Sequence, residues 1–100
     1  MKKLLVCILF VLINTQVTAQ DYYKGLDAYG TGDYASALEE FNALAKQENA
    51  QGQFMLGVMY GSGAGVPKDN TEAAKWYRLS AQQGYSYAQH NLGFMYTKGR

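Results

Sequence analysis

His90 is the only imidazole in the chain, and so the one side chain whose ordinary pKa suits proton transfer near neutrality. A general base also needs a group to orient it and a nucleophile to serve, and neither stands at a recognisable spacing. Ser62, Ser80 and Ser86 have no neighbouring base and no strained nucleophile-elbow sequence around them. Glu39 and Glu40 are adjacent, so on a helix they diverge by about 100° and cannot face one substrate together. A zinc site requires three or four ligands, and His90 has no second ligand near it. The run Gly61 to Gly65 is glycine-rich like a phosphate loop, but it lacks the Gly-Lys-Ser/Thr ending and follows no strand. These residues predict no catalytic, cofactor or metal site. Lys68, Lys75 and Arg78 form a modest basic cluster that reads as solvated helix surface, so no nucleic-acid partner is expected.

The residues that carry the fold begin after a leader. Met1, Lys2 and Lys3 give a positive start, Leu4 to Ile13 is an apolar run of ten, and Val17-Thr18-Ala19 is a small-residue site before Gln20. That three-part pattern predicts a signal peptide over residues 1–19, because a membrane span needs about twenty apolar residues. Cys7, the only cysteine, would leave with it. The expected mature chain, residues 20–100, has 81 residues, no thiol chemistry, no stable membrane span and a net charge of −1. Its expected destination is the bacterial periplasm or the medium.

A shift of 36 residues places Asp33 on Asp69, Ala37 on Ala73, Phe41 on Tyr77 and Ala45 on Ala81. The same shift places Gln53 on Gln89, Leu56 on Leu92, Gly57 on Gly93, Met59 on Met95 and Tyr60 on Tyr96. The chain is therefore a repeat, and each unit reads as two helices. Asp33 caps a helix from Tyr34 to about Gln47, with Ala37, Phe41, Leu44 and Ala45 as its apolar stripe. Asn49 to Tyr60 forms the next helix, Gly61 to Pro67 a loop, and Asp69 with Glu72 starts a helix that Gly84 ends. Ser86 to Tyr96 repeats the earlier pattern, and Asp21 to Tyr29 is a shorter partner at the front, with Gly25 aligned on Leu56 and a connection five residues shorter.

Leu56-Gly57-Val58-Met59-Tyr60, Gly63-Ala64-Gly65-Val66-Pro67-Lys68-Asp69, Ala73-Ala74-Lys75-Trp76-Tyr77, Ala81-Gln82-Gln83-Gly84, Ala88-Gln89, Leu92-Gly93 and Met95-Tyr96 together resemble the Sel-1-like repeat. That family is a branch of the tetratricopeptide-type solenoids. The resemblance implies an all-α fold, an α/α solenoid of stacked antiparallel helix pairs, about two and a half repeats long. Ser80 departs from the family pattern, standing where a second alanine is usual. The third unit stops at Gly99-Arg100, inside the loop that should lead to its second helix. Either the chain is a fragment of a longer array without independent function, or another chain covers the last helix.

Family likeness further implies a non-enzymatic scaffold in the bacterial envelope, binding a peptide or protein along the concave face made by the first helix of each pair. On the wheel opposite Gly52, Leu56 and Tyr60 stand Gln51, Phe54, Met55 and Val58, and the next unit offers Tyr87, His90, Asn91 and Phe94. This mixture of aromatic, thioether and amide groups suits a peptide groove. Phe54, Val58 and Phe94 are equally expected as packing between units, whereas Tyr87, His90 and Asn91 carry polar tips suited to contact. Some cysteine-rich relatives are assigned β-lactam hydrolysis, but that depends on disulfide-paired repeats that a cysteine-free mature chain lacks.

Overall fold

The computed structural model describes residues 20–98, in which there are five helices and no strand. The expected leader, residues 1–19, lies outside the described residues. Helix α1 covers residues 20–31, followed by α2 (Tyr34–Lys46), α3 (Ala50–Ser62), α4 (Asn70–Gln82) and α5 (Ser86–Thr97). Each packs on its neighbour in order, α2 on α3, α3 on α4 and α4 on α5, which is the stacking of a helical-repeat solenoid.

Local hydrogen bonding sets the helix starts. The Asp33 carboxylate accepts from the Ser36 N–H (3.2 Å), the Asn49 side-chain oxygen from the Gly52 N–H (2.8 Å) and Asp69 from the Glu72 N–H (3.1 Å). Each satisfies an amide that the first helical turn leaves without a partner. The bond from Ser36 holds the Asp33 carboxyl below its usual range.

The ends of α1 to α4 share one device, a left-handed residue whose N–H and following N–H turn back onto the last carbonyls. After α1, Gly32 (φ 85°) bonds to Tyr29 and Asp33 to Ala28; after α4, Gly84 (φ 86°) bonds to Ala81 and Tyr85 to Ser80. After α2 the left-handed position is filled by Glu48 (φ 59°), with Glu48 N–H to Ala45 and Asn49 N–H to Leu44 at 3.0 and 3.1 Å. Helix α3 runs two residues past Tyr60, because Gly61 and Ser62 continue it until Gly63 (φ 73°) turns it. The Ser62 hydroxyl donates to the Val58 carbonyl at 2.8 Å, sealing that last turn.

Two buried clusters stack along the solenoid. Phe41, Leu44, Leu56 and Met59 centre the first, and Ala73, Tyr77, Ala88 and Met95 form the second. Burying each large apolar side chain contributes about 1.5–3 kcal/mol. Phe54 and Val58 pack against both clusters, so they join one unit to the next. Ser80 is fully buried, and its hydroxyl donates to the Ala50 carbonyl at 2.7 Å while Gln83 donates to Gln53 at 2.8 Å. The serine therefore ties the end of α4 to the start of α3, which an alanine could not do.

Tertiary packing changes the alignment of the first unit. A Cβ on Gly25 would lie 2.5 Å from the Phe41 ring, and one on Gly57 would lie 2.5 Å from the Tyr77 ring. Tyr22 flanks Phe41 at 6.3 Å between centroids, and Phe54 flanks Tyr77 at 5.7 Å. Gly25 is thus the counterpart of Gly57, not of Leu56, and the first connection is shorter by four residues rather than five. The first unit shares this contact with the second, because close approach of the second helix requires glycine at that point.

Candidate functional site

Surface aromatic groups are gathered along the first helices of successive units. Tyr22 and Tyr23 from α1 stand 5.7 Å apart, Phe54 of α3 lies 5.3 Å from Tyr85 and 6.2 Å from Tyr87, and Tyr85 and Tyr87 are 5.7 Å apart at the entrance to α5. Tyr85 lies near enough to the Tyr22 phenol to raise its pKa, so the strip runs from α1 to the start of α5. Burial, then the Tyr85 charge and hydrogen bond, push the Tyr22 phenol up to about 12. Tyr23 and Tyr87 are 68% and 66% exposed, so the ends of the strip are open to a ligand. Tilted rings with hydroxyl tips offer apolar faces and hydrogen-bonding edges together.

Beside the strip lies a cleft of about 370 Å³ between the end of α3, the start of α4 and the middle of α5. Val58, Ala73, Tyr77, Asn91, Phe94 and Met95 are among its lining. The Tyr77 phenol is pushed above its ordinary value by burial, partly offset by a hydrogen bond to the Asn91 side chain.

The eight residues expected at the binding surface are divided by the packing. Tyr87 belongs to the strip, and His90 is exposed on α5. Phe94 is 53% exposed at the cleft, while Asn91 is half-buried and braces Tyr77. Gln51 is half-buried on α3, and Phe54 and Val58 are half-buried between units. Met55 is a correction: it is only 7% exposed, inside the first cluster, and has no surface to offer a partner. Helix α3 is sandwiched between α2 and α4, so the side opposite Leu56 is also interior.

Tyr22, Tyr23 and Tyr85 were not expected at the site. The signal for Tyr22 is the offset of 32 residues that puts it on Phe54, visible only once Gly25 is paired with Gly57. Among the described residues no group of His, Cys, Asp and Glu could hold a metal ion, and no helix is long and apolar enough to cross a membrane.

The Sel1 repeat pattern matches residues 50–85 and again 86–100. The chain belongs to the Sel1 repeat family. It is 41% identical over 63 residues to a putative Sel1-like repeat-containing protein, L21, of Acanthamoeba polyphaga mimivirus, covering 59% of this chain and 12% of that protein. It is 35% identical over 75 residues to an exopolysaccharide production negative regulator of Rhizobium leguminosarum bv. viciae, covering 74% and 28%. With the Sel1-repeat-containing protein YjcO of Escherichia coli it shares 30% identity over 92 residues, covering 89% and 36%. The chain thus spans about a third or less of the length of these relatives. Sel1 repeats are protein-interaction modules, and this chain carries the module.

Proposed function

We propose that this chain is a non-enzymatic binding module of the bacterial cell envelope, exported after removal of residues 1–19, that holds an extended peptide or protein segment along its concave face. The observation that carries this reading is the strip from Tyr23 through Tyr22 and Tyr85 to Tyr87, with Phe54 beneath it. Tyrosine supplies large contact area at low entropic cost, and its hydroxyl pairs with the amides of an extended chain. His90, one helical turn from Tyr87, adds a polar group at the exposed end of the strip. Phe94 extends the same helix face toward the cleft.

The test is capture from periplasmic extract with the purified protein and with a Tyr87→Ala/His90→Ala variant. Loss of a reproducible partner with an unchanged melting temperature is the expected result. A drop in melting temperature, or capture that ignores both substitutions, would count against the strip as the binding surface.

A further inference from the structure

Glu48 carries two local costs that its neighbours do not return. It holds the left-handed position at the end of α2 (φ 59°), where the equivalent positions after α1 and α4 are Gly32 and Gly84. An L-residue is strained there, and a carboxylate is also repelled by the negative end of the helix that it follows. Among the described residues Glu48 forms no ion pair, and the side chain that caps α3 is that of Asn49. Strain kept at an exposed polar residue points to function.

Glu48 lines a cleft of about 310 Å³ together with Gln53, Leu79, Gln82 and Gln83. Helices α2 and α4 both end at this cleft, so the negative ends of two helix dipoles add to the Glu48 carboxylate. Helix α4 has no basic residue in its last turn, and Lys46 of α2 is not part of the lining. Gln53 is 5% exposed, and its side-chain oxygen accepts from the Gln83 amide at 2.8 Å. That bond engages an N–H of Gln83 and leaves its carbonyl oxygen to accept, and Gln82 brings another. One unit further on, Gly84 replaces Glu48, and Gln89 donates to the Ala81 carbonyl instead (3.2 Å). The anionic cleft therefore belongs to the junction of the first two units, inside the stack.

A negative cleft walled by acceptor oxygens takes a cationic donor. A metal ion is the wrong one, since a single carboxylate among neutral amides is too poor a ligand set. An ammonium is compact and strongly hydrated, whereas a guanidinium spreads its N–H donors in a plane and meets several separated acceptors at once. The half-exposed Leu79 offers an apolar wall for the methylene stem behind it.

We propose that this cleft is a guanidinium site that receives an arginine side chain of a bound peptide or protein, with Glu48 as counter-ion and the Gln82 and Gln83 carbonyls as further acceptors. The site shares no residue with the tyrosine strip, so its failure and the failure of the function proposed above are read separately.

The probe is N-acetyl-arginine N-methylamide, titrated into the full chain at constant ionic strength and followed by two-dimensional amide NMR. Saturable shifts are expected at the backbone amides of Glu48 and Asn49 and at the side-chain amides of Gln53 and Gln83. Glu48→Gln, which keeps the backbone conformation and removes the charge, should weaken binding about fivefold or more. The citrulline analogue, a neutral isostere of the probe, should be weakened as much. Glu48→Gly should also lose binding while its melting temperature does not fall, which separates the site from the fold. No saturable shift, indifference to Glu48→Gln, or shifts confined to Tyr22, Tyr85 and Tyr87 would each overturn the proposal. Equal binding of the lysine analogue would overturn the assignment to guanidinium. Binding of free arginine but not of the capped probe would overturn the assignment to an arginine within a polypeptide.

Discussion

Replacing Glu48 by glycine should stabilise the protein. Glu48 occupies the left-handed position that ends α2 (φ 59°), whereas its counterpart 36 residues on is Gly84 (φ 86°) and α1 ends on Gly32 (φ 85°). An L-residue in that conformation costs about 1–2 kcal/mol through the clash of Cβ with the backbone. Glycine removes the clash but adds about 0.5–1 kcal/mol of unfolded-chain entropy. Both returning hydrogen bonds, Glu48 to Ala45 and Asn49 to Leu44, are made by backbone N–H groups and survive the change. The net expectation is a gain of about 0.5–1 kcal/mol, a rise in melting temperature of about 2–8 °C for a domain of this size. The assay is thermal and urea unfolding followed by circular dichroism. Two controls separate the backbone from the lost carboxylate: Glu48→Ala keeps the strain and should change little, and Gly84→Ala should cost about 1 kcal/mol. The reasoning is refuted if Glu48→Gly is neutral or destabilising, or if Glu48→Ala gives the same gain.

The repeat register predicts opposite signs at equivalent glycines: Gly57→Ala drives a methyl into the Tyr77 ring and should destabilise by about 1–3 kcal/mol. Gly93→Ala meets open space on a helix and should stabilise by up to about 1 kcal/mol, both measured by urea unfolding. Ser80→Ala, which removes the 2.7 Å bond to the Ala50 carbonyl, should cost about 1 kcal/mol by the same method. The Tyr22 phenol, raised to about 12, contributes stability while it is protonated in both the folded and the unfolded chain, so the contribution is intact below pH 10 and is lost as pH rises through 12. In a spectrophotometric titration Tyr22→Phe should remove a tyrosinate step near pH 12, and a step removed near pH 10 instead would contradict the burial of Tyr22 beside Tyr85.

The sequence by itself determined the repeat, its period and the all-α class. It also placed the caps at Asp33 and Asp69 and the stop at Gly84, since these depend on bonds formed within a few residues. Helix ends drifted by two residues at Gly61 and Ser62 because the turn is made by Gly63, the first of several glycines able to make it. Membership of the Sel1 repeat family was legible in the same spaced residues.

What only tertiary structure decided is which sides of α3 and α5 face outward. In a solenoid an inner helix is covered on two sides, so α3 buries Met55 and Gln53 as well as Leu56 and Met59, and a helical wheel cannot separate interior from surface. Tyr22, Tyr23, Tyr85 and Tyr87 come together across more than sixty residues of chain, through the stacking of α1, α3 and α5. The pairing of Gly25 with Phe41, which corrects the alignment of the first unit, likewise exists only when a ring lies on a glycine. Local hydrogen bonds are encoded by neighbouring residues, but contacts between units depend on how far each helix is rotated against the next, which packing alone sets.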